Sequence, residues 1–255
     1  MKKQIETNKH NKKKTVPEGE LIFGLHSIIE LLKAGRRKLI AIYTTRPTPK
    51  GWEQIERVLP KYPINIQYVE RDVLHRMAQT TDHQGVVAWA KSFIFRRKQF
   101  EPAKHPFLVL IDGVQDSRNL GAIIRSAYCT KTDGVIICKK ASAPLNAAAL
   151  KASAGLAEHI DIYEASSAQS AAQELLAAGY KLYLATFDGE SALTCAYQMP
   201  LCIVIGGEAL GITKSLLSLG THITLPQRTP DISYNASVAA GILLFLAGVK
   251  LSRLS

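Results

Sequence analysis

The chain has little of what a secreted or membrane-bound protein would need. Its 255 residues hold four cysteines, Cys129, Cys138, Cys195 and Cys202, with no CxxC pair. A disulfide framework and a zinc-finger spacing are thereby excluded, and reduced core thiols in a cytosolic protein are expected. The histidines form no metal-ligand spacing either, so no metal is expected. No apolar run reaches the length of a bilayer span. The richest one, ASVAAGILLFLAGV (236–249), reads as a buried core helix. The N-terminal MKKQIETNKHNKKK lacks the apolar stretch of a signal peptide and the arginines of a transit peptide, which leaves a disordered basic tail over 1–19.

Acid is also scarce, with 21 Asp+Glu against 32 Lys+Arg. The shortage is local. Residues 1–104 hold 21 of the basic residues and 10 of the acidic ones, a balance of +11, whereas 105–255 hold 11 of each. Such asymmetry points to an anionic partner, nucleic acid first and a membrane surface second. The plainer alternative is a solvated basic surface.

What is present is a double alternation of helix and strand. A first α/β unit occupies 20–91. Leu25, Ile28, Ile29, Leu31 and Leu32 recur at helical spacing before Gly35. Strands follow at 38–45, 64–70 and 85–90, and helices around Trp52 and over 71–79. Residues 92–106 read as a charged linker ending in prolines. Its FIFRRKQF segment (93–100) suits either stacking on single-stranded RNA or simple anchoring. His26 and His83 are open to RNA contact or to ordinary packing. The second unit, 107–255, carries apolar strands at 107–111, 134–138, 159–163, 180–187, 201–205 and 221–225. Helices are expected at 119–130, 145–156, 167–178, 213–219 and 235–250. Near-continuous apolar strands separated by helices predict a parallel sheet covered on both faces.

Ligands of such sheets bind beyond the C-terminal strand ends. Three post-strand loops are rich in polar groups: DGVQDSRNLGAIIRSA (112–127), IGGEALGI (205–212) and LPQRTPDISYNASVAAG (225–241). The first lacks the GxGxxG fingerprint, and the second carries an acid where pyrophosphate would approach, so a dinucleotide fold fits poorly. Pro226 and Pro230 stiffen the third loop and fix its remaining backbone groups.

These stretches resemble, in order, the three signature motifs of the SpoU/TrmH (SPOUT) family of RNA ribose 2′-O-methyltransferases. The first matches as Asn119-x-Gly121-x-x-x-Arg125 and the second as Gly206-Gly207-Glu208-x-x-Gly211. The third matches as Leu225-Pro226 with Ser233-Tyr234-Asn235-x-Ser237-Val238-Ala239. IFGLHSIIELLKAG (22–35) and DHQGVVAWA (82–90) resemble the L30e-like RNA-binding domain of the branch that modifies guanosine in 23S rRNA. The resemblance implies a deep trefoil knot, S-adenosyl-L-methionine as cofactor, an rRNA substrate and a homodimer with its site near the interface. A tRNA ribose methyltransferase, or an RNA-binding ribosome-assembly factor without catalysis, are the alternatives.

By the same resemblance Arg125 is catalytic, with Asn119, Glu208, Ser233 and Asn235 around it. Gly206, Gly207, Gly211, Leu225, Pro226 and Tyr234 hold the cofactor. An arginine is effectively always protonated, so its work is to stabilise a developing alkoxide or to clamp the adjacent phosphate. Asn119 and Arg125 are expected together near a helix N-terminus that favours phosphate. A simple ion pair of Arg125 with Asp112 or Asp116 is the competing role. Glu208 is expected to orient Asn119 or Arg125, or else to complement the dipole of the 213–219 helix. Ser233 is expected to contact the arginine, and Asn235 to cap the last helix. Three departures from the family bear on cofactor affinity: Tyr234 where leucine is usual, Ala236 where valine is frequent, and QRTPD (227–231) in place of a small glycine-containing segment.

Overall fold

A computed structural model describes residues 19–140, 142–229 and 232–254. The expected tail therefore lies outside the described residues except for Gly19, and so do Pro230 and Asp231 of the third loop.

The N-terminal unit is a four-stranded sheet in the order β1-β4-β2-β3. It runs β1 (Glu20–Phe23), α1 (Leu25–Ala34), β2 (Leu39–Thr44), α2 (Trp52–Val58), β3 (Asn65–Tyr68), α3 (Arg71–Ala78) and β4 (Val86–Ala90). β2 and β3 pair parallel, and β4 runs antiparallel to both β1 and β2. β1 is absent from the pattern-based expectation, because four residues before a glycine are too few to show a period of two. His83 is fully buried and its Nδ1 accepts from the Gly85 amide at 3.0 Å, a packing role, whereas His26 is exposed.

The C-terminal unit is a six-stranded, wholly parallel sheet in the order β10-β8-β9-β5-β6-β7. Its elements are β5 (Phe107–Asp112), α4 (Ser117–Cys129), β6 (Gly134–Cys138), α5 (Ala147–Ala152), β7 (Asp161–Ala165), α6 (Ala168–Ala177), β8 (Lys181–Ser191), β9 (Leu201–Gly206), β10 (Thr221–Thr224) and α7 (Ala236–Lys250). All six residues of β5 are buried, as a central strand covered on both faces requires. The helix expected over 213–219 is only a single 3-10 turn, Lys214–Leu216. Cys138, Cys195 and Cys202 are buried, and burial pushes the Cys138 and Cys195 thiols up to about 12. Cys129 is exposed, contrary to its expected place in the core.

The two units are not joined by a loose linker. Phe100 is buried, the Arg96 amide donates to the Ile162 carbonyl at 2.8 Å, and the Arg96 side chain pairs with Asp161. The segment is anchored through Phe100, half-buried Phe93 and Phe95, and the paired Arg96, whereas Arg97 and Lys98 are exposed. Arg37 of the first unit is buried against buried Glu158 of the second at 2.5 Å, and also holds Glu20 and the Lys91 carbonyl. Arg36–Asp161 and Glu30–His159 flank this contact. A single apolar cluster runs from Ile28 and Leu31 of α1 into Ala149, Leu150 and Ala157.

Candidate active site

Because every strand of the second sheet points the same way, the loops after β5, β9 and β10 all emerge at one end. β5 and β9 are neighbours, and their last residues, Asp112 and Gly206, stand opposite each other. Asp112 is buried there. It accepts from the Thr213 amide at 2.7 Å and from the Thr213 hydroxyl at 3.0 Å, tying the loop after β9 to the end of β5. Between these anchors the chain closes on itself, with Gly207 and Gly211 bonded in both directions at 2.9 and 3.2 Å.

The glycines are dictated by close approach. A Cβ on Gly207 would lie 2.2 Å from the Gly113 carbonyl oxygen, and one on Gly206 would lie 2.3 Å from the Gly211 carbonyl carbon. Two post-strand loops thus cross in backbone contact. Gly211 differs: nothing lies within 4 Å of its would-be Cβ, so the loop has one open side. Gly121 also serves packing, since a Cβ there would lie 2.2 Å from the Ala149 oxygen of α5.

Three loops meet through one asparagine. Asn119, in the first turn of α4, donates from Nδ2 to the Glu208 carboxylate. Its Oδ1 accepts from Asn235 Nδ2 at 3.2 Å. The Asn235 oxygen in turn caps α7, accepting from the Ser237 amide at 2.9 Å, the Ser237 hydroxyl at 2.6 Å and the Val238 amide at 3.4 Å. The result is a one-directional hydrogen-bond chain from the α7 N-terminus through Asn235 and Asn119 to Glu208. Such chains polarise their members cooperatively. Glu208 therefore faces Asn119 rather than Arg125, and no regular helix follows whose dipole it could complement.

Arg125 lies elsewhere than expected. It is the ninth residue of the thirteen in α4, exposed, with no ion pair or hydrogen bond among the described residues. Six residues at about 1.5 Å rise put it roughly 9 Å along the helix from Asn119, well past the N-terminal amides. The ion-pair alternative is also occupied: Asp112 holds Thr213, and Asp116 caps α4 by accepting from the Arg118 amide at 2.7 Å. Ser233 is exposed and makes no hydrogen bond to Arg125. Tyr234, also exposed, donates its hydroxyl to the Pro226 carbonyl at 3.2 Å, which pins the third loop beside half-buried Leu225.

Residue patterning alone leaves out several supports. The Asp112–Thr213 clasp joins residues 101 apart in sequence. Ser142 accepts from the Gly113 amide at 3.3 Å, and Asn146, the N-cap of α5, donates to Ser117 at the start of α4 at 3.0 Å. The only hint of these was an aspartate closing an apolar strand.

Comparison with known proteins agrees with this layout. The sequence profile of the SpoU rRNA Methylase family matches residues 106–245, and that of RNA 2′-O ribose methyltransferase substrate binding matches residues 21–95. The chain is 31% identical over 89% of its length to a Bacillus subtilis protein named for the TrmH family of tRNA/rRNA methyltransferases, covering 94% of that protein. It is 30% identical, over 89% of its own length and 96% of the relative, to the 23S rRNA (guanosine-2′-O-)-methyltransferase RlmB of Shewanella oneidensis. Among solved structures, the AdoMet-bound rRNA methyltransferase of Sinorhizobium meliloti superposes with a TM-score of 0.77 at 24% identity, covering 93% of this chain and 89% of that one.

Proposed function

The chain belongs to the SpoU rRNA Methylase family, and from that premise we propose that it methylates the ribose 2′-oxygen of a guanosine in 23S rRNA. The observation that carries this is the hydrogen-bond chain Asn235–Asn119–Glu208, which gathers one residue from each of the three motif loops at a single strand end.

S-adenosyl-L-methionine, when bound, supplies an electrophilic methyl group on sulfur. The residues present fit it. The Gly206–Gly211 loop leaves open space beside Gly211, and Tyr234 ties down the loop that carries Leu225 and Pro226. Glu208 and Asn235 hold the Asn119 amide in one orientation. The exposed guanidinium of Arg125 is unspent among the described residues, so its planar fork can take the phosphate beside the ribose and stabilise the oxygen as it becomes an alkoxide. Arginine does not take up the proton, which passes to solvent at this open site.

Arg125 stands apart from the Asn119 cluster, and Val238, Phe245 and Val249 expose an apolar stripe on α7. Both features favour a homodimer in which the site draws on two copies. The buried, unbridged thiols suit a reducing cytosol, where we place the enzyme. Ribose-methylation mapping of rRNA and tRNA from a deletion strain tests the substrate. One 23S guanosine should lose its 2′-O-methyl group. A loss confined to tRNA would overturn the rRNA assignment.

A further inference from the structure

We propose that Arg46 and Tyr68 form a stacking platform for an unpaired base of the RNA substrate. This rests on the RNA-methyltransferase function above and specifies how the N-terminal unit grips its substrate.

Tyr68 is the last residue of β3 and stands in register with Thr44, the last of β2. Arg46 follows two residues later, and its guanidinium carbon lies 4.0 Å from the Tyr68 ring centroid. Tyr68 keeps 45% of its surface exposed on the edge strand of the sheet. Arg46 is exposed and has no ion pair or hydrogen bond among the described residues. In this it differs from Arg36, Arg37 and Arg96, each of which is spent on a carboxylate at the contact between the units. A guanidinium lying on an aromatic ring, with its outer side open, offers a flat cationic surface. Unstacked RNA bases bind such surfaces by stacking on arginine planes and aromatic faces.

The position matters as much as the chemistry. Pro49, in the same loop as Arg46, packs on Gly85. Gln84, before Gly85, accepts from the Leu25 amide at the start of α1, and Asp82, two residues earlier, faces Lys151 of α5 at 3.9 Å. At the start of α5, Asn146 holds Ser117, two residues before Asn119. These contacts, joined by short stretches of chain, link the loop of the platform to the start of α4, where Asn119 lies. A second cation–tyrosine pair, Lys38 over Tyr62 at 5.9 Å, lies at the opposite end of β2. The Tyr62 hydroxyl is already spent, accepting from the Leu39 amide. That pair is the internal control.

The test measures binding of in vitro transcribed 23S rRNA, cofactor affinity and melting temperature for four variants. Arg46→Ala and Tyr68→Leu should each weaken RNA binding by about ten-fold, with cofactor affinity and melting unchanged. Tyr68→Phe, which keeps the ring, and Lys38→Ala, at the wrong end, should bind as the parent does. Native RNA affinity in both Arg46→Ala and Tyr68→Leu would overturn the platform. So would an equal loss in Lys38→Ala, which would reduce the effect to general charge. Methyl transfer by the parent protein is read separately. A parent that binds the RNA but transfers no methyl removes the functional assignment and leaves the platform standing. A parent that methylates normally beside unaffected variants does the reverse.

Discussion

Asn119 organises the site because its amide both donates and accepts, and each end is committed. Glu208 takes the donor and Asn235 supplies the acceptor's partner, so the side chain has one orientation only. That arrangement depends on how closely the loops cross at Gly207. Gly207→Ala would push a Cβ against the Gly113 carbonyl oxygen and displace Glu208 with it. The cost should be about 1–3 kcal/mol of stability, together with a marked loss of cofactor affinity by calorimetry. Native melting and native affinity would show that the crossing is slack. The stretches that carry this cluster are legible as polar segments after apolar strands, and Asn119, Glu208 and Asn235 are picked out within them by their resemblance to the family motifs. The positions of Arg125 and Ser233 relative to it are not. Helical rise carries Arg125 away from the N-terminal turn, and a loop serine has no periodicity to fix what it touches.

At the scale of elements, patterning recovers the parallel strands well and the short or two-sided elements poorly. α7 reads as a fully buried helix because it is apolar throughout, yet Val238, Phe245 and Val249 face outward. Composition cannot separate a face covered by the same chain from one left for a partner. The contact between the units is equally hidden, because Arg37 and Glu158 lie 121 residues apart. Both side chains are buried, so losing one strands a charge in a low-dielectric setting. Arg37→Ala should therefore cost roughly 3–5 kcal/mol by denaturant unfolding. Replacing both residues by methionine should recover most of that loss. A midpoint unchanged in Arg37→Ala would mean that the pair contributes nothing to joining the units.

At the scale of the whole molecule, the +11 excess of residues 1–104 is divided among the tail, the first unit and the linker, with +4 on residues 20–91, whereas the proposed catalytic cluster sits on the second unit. The charge split reads as an independently folding RNA-binding piece. However, the shared apolar cluster and the Arg37–Glu158 pair make removal of residues 1–104 a structural injury as well as a loss of charge. Point substitutions are thus the cleaner probe of how RNA reaches the site. Everything in the proposed chemistry converges on the exposed guanidinium of Arg125, whose planar fork an ammonium cannot reproduce. The most direct measurement is single-turnover methyl transfer to in vitro transcribed 23S rRNA by Arg125→Lys and Arg125→Ala, beside cofactor affinity and a thermal melt. Both variants should lose transfer by on the order of a hundred-fold or more, with cofactor affinity and melting close to native. Near-native transfer by Arg125→Lys would contradict the assignment.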